Sequence, residues 1–85
     1  MQIDIQKWEG KYILLSPDIY RLSVFIINML DNKQLLFEVV KKYNGTLIRL
    51  GNVICFNTRD DAQQMKDWID SLIVLSLLRG KEIYY

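Results

Sequence analysis

The sequence contains no histidine, one cysteine (Cys55), one proline (Pro17) and four glycines in 85 residues. Without histidine the chain lacks the side chain that most often acts as a general base near neutral pH and most often ligates zinc. A lone cysteine excludes an internal disulfide and any multi-cysteine zinc site. As a nucleophile Cys55 would have no imidazole to activate it, so it reads as a small apolar strand residue. The compartment it implies is reducing, intracellular or organellar. An excess of charge of one sign is also missing. Eleven Lys and Arg against ten Asp and Glu give a net +1, split six to five over residues 1–45 and five to five over 46–85. That balance excludes polyanion binding by bulk charge alone. No apolar run approaches the roughly 18 residues of a membrane span. Met1–Ile5 has neither the basic start nor the apolar stretch of a signal peptide. There is no Gly-rich phosphate loop and no Ser/His/Asp set.

What is present in quantity is apolar side chain, 51% of residues, too much for a disordered tail. One domain, 1–85, is expected at this length. Residues 1–10 read as a lead segment, 11–80 as a core of sheet and helices, and 81–85 as a tail or short edge strand. Lys11–Ser16 reads as a strand. Ser16-Pro17-Asp18 is a turn signal, because proline presets φ and Asp can bond back to the backbone. Tyr20–Ile27, dense in β-branched and aromatic residues, reads as a second strand hairpinned to the first. A helix over 18–30, with Pro17 in its first turn, is the rival reading. Asp31 with Gln34 fits a capping box. Leu35, Leu36, Val39, Val40 and Tyr43 then mark one face of a helix that Asn44-Gly45 stops. Thr46–Leu50 and Val53–Asn57 form a hairpin across Gly51-Asn52. Thr58 caps a last helix, with Asp60 and Asp61 in its positive first turn. Ala62, Met65, Trp68, Ile69, Leu72 and Ile73 mark its buried face. From Leu72 to Leu78 it is apolar nearly all round, broken only by Ser76, so it is expected to be enclosed.

The pattern gives an α+β fold, a four-stranded antiparallel sheet with two helices on one face in the order ββαββα. The alternative is a ferredoxin-like βαββαβ unit. In the second hairpin both faces are apolar: Leu47, Ile54 and Phe56 on one, Ile48, Leu50, Val53 and Cys55 on the other. Two helices cover one face only, so the other is expected to meet a protein partner or a second copy of the chain. Ile48, Leu50, Val53 and Cys55 are the candidate interface residues. Lys11, Arg21 and Arg49 are candidate nucleic-acid contacts at the sheet edges.

The run Tyr20–Ile27, then Asp31-Asn32-Lys33-Gln34-Leu35-Leu36, then Lys41-Lys42-Tyr43-Asn44-Gly45, with Leu47–Phe56 and Asp60–Leu78 after it, resembles the LAGLIDADG homing endonuclease family over most of residues 9–80. There a hairpin leads into a helix with the pattern D-x-x-L-L, and a second hairpin and helix follow. Glu9-Gly10 stands where the family's motif helix ends in an acidic residue and glycine. The resemblance implies that Glu9 is the residue that would hold Mg²⁺ at a site shared between two halves. Gln2–Trp8 lacks the small residues of the family's helix seam, which points to a reduced relative without catalysis.

The function these readings support is a small non-catalytic binding or structural subunit of a larger, nucleoprotein assembly, with no cofactor. The enzyme alternative is a homodimeric Mg²⁺-dependent DNA endonuclease with Glu9 at its seam. The third is a ferredoxin-like viral or plasmid inhibitor of a host protein. Trp8 and Trp68 read as packing residues, and Asp60, Asp61, Asp67 and Asp70 as helix-dipole and solvated charges rather than an acidic site.

Overall fold

Trp8 and Lys11 face each other across Glu9-Gly10, and both loop residues have positive φ, 49° and 76°. This is the two-residue type I′ geometry whose twist matches that of the flanking strands. The turn joins β1 (Asp4–Trp8) to β2 (Lys11–Leu15). The computed structural model describes residues 2–17, 22–49 and 53–78, with the side chain of Ser76 excepted. After β2 come α1 (Leu22–Leu30), α2 (Lys33–Lys42), β3 (Gly45–Ile48), β4 (Val53–Phe56) and α3 (Arg59–Leu78). The strands form one antiparallel sheet in the order β1-β2-β4-β3. The fold is therefore α+β with four antiparallel strands, and three helices pack on it.

Two element assignments differ from the sequence expectation. The lead segment supplies a strand, because Ile3 and Ile5 alternate toward the core while Asp4 and Gln6 point away. The stretch expected as a second strand is helix over Leu22–Leu30. Leu22, Ser23, Phe25 and Ile26 are its buried residues, a spacing of i, i+1, i+3 and i+4 that only a helix puts on one side. Ser23, 1% exposed, is a polar member of that stripe and hides it from a hydrophobicity pattern. Asp18 to Arg21, the Gly51-Asn52 turn and residues 79–85 lie outside the described residues.

The helix joints are local chemistry. The Asp31 N–H donates to the Ile27 carbonyl at 2.8 Å, with Asp31 in the left-handed region at φ 58°, closing α1 as an αL residue does. Asn32, one residue later than the expected cap, accepts from the Gln34 N–H at 2.9 Å and starts α2. Thr58 caps α3 as expected, its Oγ1 accepting from the Asp61 N–H at 3.2 Å. An Asn44 Nδ2 to Asp61 Oδ1 bond of 3.4 Å ties the end of α2 to the start of α3.

In the β3–β4 ladder Leu47 pairs with Ile54 and Ile48 with Val53. The turn expected at Gly51-Asn52 would instead pair Leu47 with Phe56. The difference is two residues, so every side chain keeps its face. One face, carrying Ile5, Tyr12, Leu14, Leu47, Ile54 and Phe56, packs under the helices, which bring Phe25, Ile26, Leu36, Val40, Met65 and Ile69 to the core.

Candidate binding surfaces

The ladder places Gln6, Trp8, Lys11, Ile13, Leu15, Thr46, Ile48, Val53 and Cys55 on the sheet face away from the helices. The sequence expectation is that its apolar members need a partner to cover them, but among the described residues no large exposed apolar side chain belongs to the sheet. Ile13, Leu15, Ile48 and Val53 are half-buried, and Cys55, on the interior strand β4, is 4% exposed. The chain shelters this face partly by itself. Trp8 comes from the end of β1 and Arg49 from the end of β3, at diagonally opposite corners of the sheet. Strand twist lifts diagonal corners toward one another, and the Arg49 guanidinium lies 5.2 Å from the centroid of the Trp8 ring. Between them is a cleft of about 180 Å³ lined by Trp8, Ile13, Ile48, Arg49 and Val53.

The backbone explains how Arg49 reaches it. Alternation along β3 would send residue 49 to the helix side with Leu47. Arg49 has φ 52°, a left-handed conformation that costs a non-glycine residue roughly 1 kcal/mol. It breaks the alternation and leaves the guanidinium over the uncovered face.

The candidate site residues thus fall into groups. Ile48, Val53 and Arg49 come together at the cleft. Lys11 is exposed and sits opposite Trp8 in the ladder, on the same face. Cys55 is on the expected face but, being buried in the centre of the sheet, offers almost no surface to a partner. Arg21 and Leu50 lie outside the described residues. Glu9 does not end a helix. It occupies the first central position of the β1–β2 turn, exposed, and the stretch matched to a motif helix contains strand β1. Among the described residues no three His, Cys, Asp or Glu side chains converge as metal ligands would. Trp8 and Ile13 were not singled out from the sequence as site residues. Their common face is readable once β1 is known to be a strand, whereas nothing in the sequence signals the φ of Arg49.

A second surface lies on α3. Twenty residues of helix rise about 30 Å, whereas strands of four or five residues run about 13–17 Å. The last turns of α3 therefore extend past the sheet. The outward side changes character along its length, from Asp60, Gln64, Asp67 and Ser71 to Val74, Leu75 and Leu78. The expected enclosure of this segment is not met: Val74, Leu75, Leu77 and Leu78 are 54%, 48%, 62% and 78% exposed, while Ile73 is buried. No helix among the described residues is long and apolar enough to cross a membrane.

Comparison with family models, with curated proteins and with solved structures gave no match to the chain.

Proposed function

We propose that the protein is a small non-catalytic binding subunit, and that it docks through the exposed apolar end of α3. The exposure of Val74, Leu75, Leu77 and Leu78 carries this reading. Their uncovered fractions amount to about two and a half whole side chains, worth roughly 4–7 kcal/mol when removed from water. The surface has no charge between Leu72 and Leu78, so its partner must present apolar side chains in return.

A second copy of the chain meets that requirement, with two α3 ends crossing about a two-fold axis. Overlap is confined to the last turns, because extending it would set the Leu75–Leu78 surface of one copy against Asp67 and Asp60 of the other. Two such surfaces gain roughly 8–14 kcal/mol against an association cost of about 4–15 kcal/mol. The balance runs from no net gain to about 10 kcal/mol, and micromolar affinity, about 8 kcal/mol, is reached at the low end of the association cost.

Sedimentation equilibrium from roughly 5 to 500 µM tests this, a span chosen around micromolar affinity. Wild type is expected to move from monomer toward dimer, and Leu75→Glu/Leu78→Glu to stay monomeric with an unchanged melting temperature. A wild-type chain that stays monomeric across the whole range refutes self-docking.

A further inference from the structure

We propose that the cleft between Trp8 and Arg49 is a ligand site for a carboxylate carried on a small apolar body. The inference stands apart from the reading of α3, which packs on the other side of the sheet.

The charge comes from Arg49. Among the described residues it has no carboxylate within ion-pair distance; Lys66–Asp70 is the ion pair they contain. Its recorded neighbour is the Trp8 ring, 5.2 Å away. A cation over an aromatic face is held there by the ring quadrupole, and a guanidinium with five N–H donors can hold that contact and still direct donors to a ligand. Those donors form a planar fork that matches a carboxylate better than any other common anion except phosphate. The acid that the ladder places on this face, Asp4, is at the far end of β1 from Trp8 and accepts from Gln2 at 2.9 Å, and Glu9, in the turn after Trp8, is not within ion-pair distance of Arg49. Among the described residues no acidic group lines the cleft.

The body comes from the rest of the lining. Ile13, Ile48 and Val53 give an apolar floor, and the Trp8 ring gives a wall. At about 180 Å³ the cleft has the room of roughly six waters, each taking about 30 Å³ of liquid. It is smaller than the roughly 300–1,000 Å³ of a drug-sized site, and suits one aromatic ring or one branched side chain. A single cation at the rim favours a monoanion. A nucleic-acid strand would need a succession of cations to follow its phosphates, and Lys11 and Arg49 are the basic residues this face provides among the described residues.

Two sources carry this chemistry: a free aryl or branched-alkyl acid, and the C-terminal residue of a peptide. Trp8 fluorescence in a Trp68→Phe background reads the site directly, with methyl chemical shifts of Ile13, Ile48 and Val53 as the second readout. The probes are 3-phenylpropionate, its neutral amide, N-acetyl-Gly-Phe with a free or an amidated C-terminus, and an eight-residue oligothymidylate.

Saturable binding of 3-phenylpropionate or of the free-carboxylate peptide, at least tenfold tighter than its amide, is the expected result. Whichever of the two binds tighter identifies the source. Arg49→Gln should weaken that binding tenfold or more, the usual size of a lost charge-assisted hydrogen bond. Because Arg49 is exposed, the folded state should survive, and an unchanged circular dichroism melt checks this. Equal binding of acid and amide, no response to either acid up to 20 mM, or a Trp8 response to the oligonucleotide alone would each overturn the proposal.

Discussion

Gly45 opens β3, and an alanine there separates steric from conformational reasoning. A Cβ at this position would sit 2.8 Å from Phe56 Cε1, 3.1 Å from Val40 Cγ1 and 3.2 Å from Phe56 Cζ. Real Cβ contacts almost never come so close to carbon, and neither neighbour has room to yield, since Phe56 is 1% and Val40 3% exposed. Gly45 does not have a positive φ, so the backbone itself would accept alanine. On propensity alone Gly45→Ala should then stabilise the strand by about 0.5–1 kcal/mol. Forcing a methyl group into a filled core costs about 1–3 kcal/mol. The packing effect is the larger, so the substitution should destabilise by about 1–2 kcal/mol. In a chain of this length that lowers the melting temperature by roughly 5–15 °C. Urea unfolding measures it, with an unchanged m-value showing that the native state is intact. A cycle with Phe56→Leu localises the cause. The double variant should be less destabilised than the two single variants added together, by at least 0.5 kcal/mol, because the methyl group enters space the ring has left. A Gly45→Ala protein as stable as wild type would refute the reasoning.

The β1–β2 turn gives the opposite case. Nothing lies within 4 Å of a Cβ built on Gly10, yet its φ is 76°, so Gly10→Ala should cost about 1 kcal/mol through the backbone alone, read as a lower melting temperature. Glu9, at φ 49°, stands where type I′ turns prefer Asn, and Glu9→Asn should raise the melting temperature by a few degrees. Removing the α3 cap by Thr58→Ala should cost about 1 kcal/mol by urea unfolding, with Thr58→Asn or Thr58→Ser recovering most of the loss.

How far the sequence could be read depends on which signal each element carries. Helix α2 announces itself through Leu36 and Val40 in its buried stripe, its two terminal lysines and the Asn44-Gly45 stop, and its cap lay within one residue of the expected position. The outer hairpin was half legible. Its faces follow from alternation, which a two-residue change of register does not disturb, whereas the register depends on a turn whose sequence allows more than one loop length. Helix α1 follows the rival reading of 18–30 rather than the strand reading: Val24, Phe25, Ile26 and Ile27 have strand propensity that tertiary packing overrides. Strand β1 was missed because Asp4, Gln6 and Lys7 dilute its apolar content to that of an edge. That error concealed the cleft, since Trp8 has no face to share with Ile13 until β1 is paired.

The two proposed surfaces are separated by the sheet itself, and that separation is testable. Helix α3 packs on the face carrying Ile5, Tyr12, Leu14 and Ile54, and the cleft opens on the face carrying Trp8, Ile13 and Val53. Strands alternate their side chains, so a residue serves one layer or the other and not both. Substitutions more than about 7–10 Å apart with no shared neighbour add within about 0.3–0.5 kcal/mol. Leu75→Glu/Leu78→Glu should therefore abolish self-association and leave the affinity for 3-phenylpropionate within about twofold of wild type, the equivalent of that additivity limit. Arg49→Gln should do the reverse, weakening the acid tenfold while the sedimentation behaviour stays that of wild type. Titration of each variant by Trp8 fluorescence and by sedimentation decides it. If the acid shifts the monomer–dimer balance, or if the α3 substitutions loosen the acid, the two surfaces are coupled, and the division of this small fold into two independent binding layers is wrong.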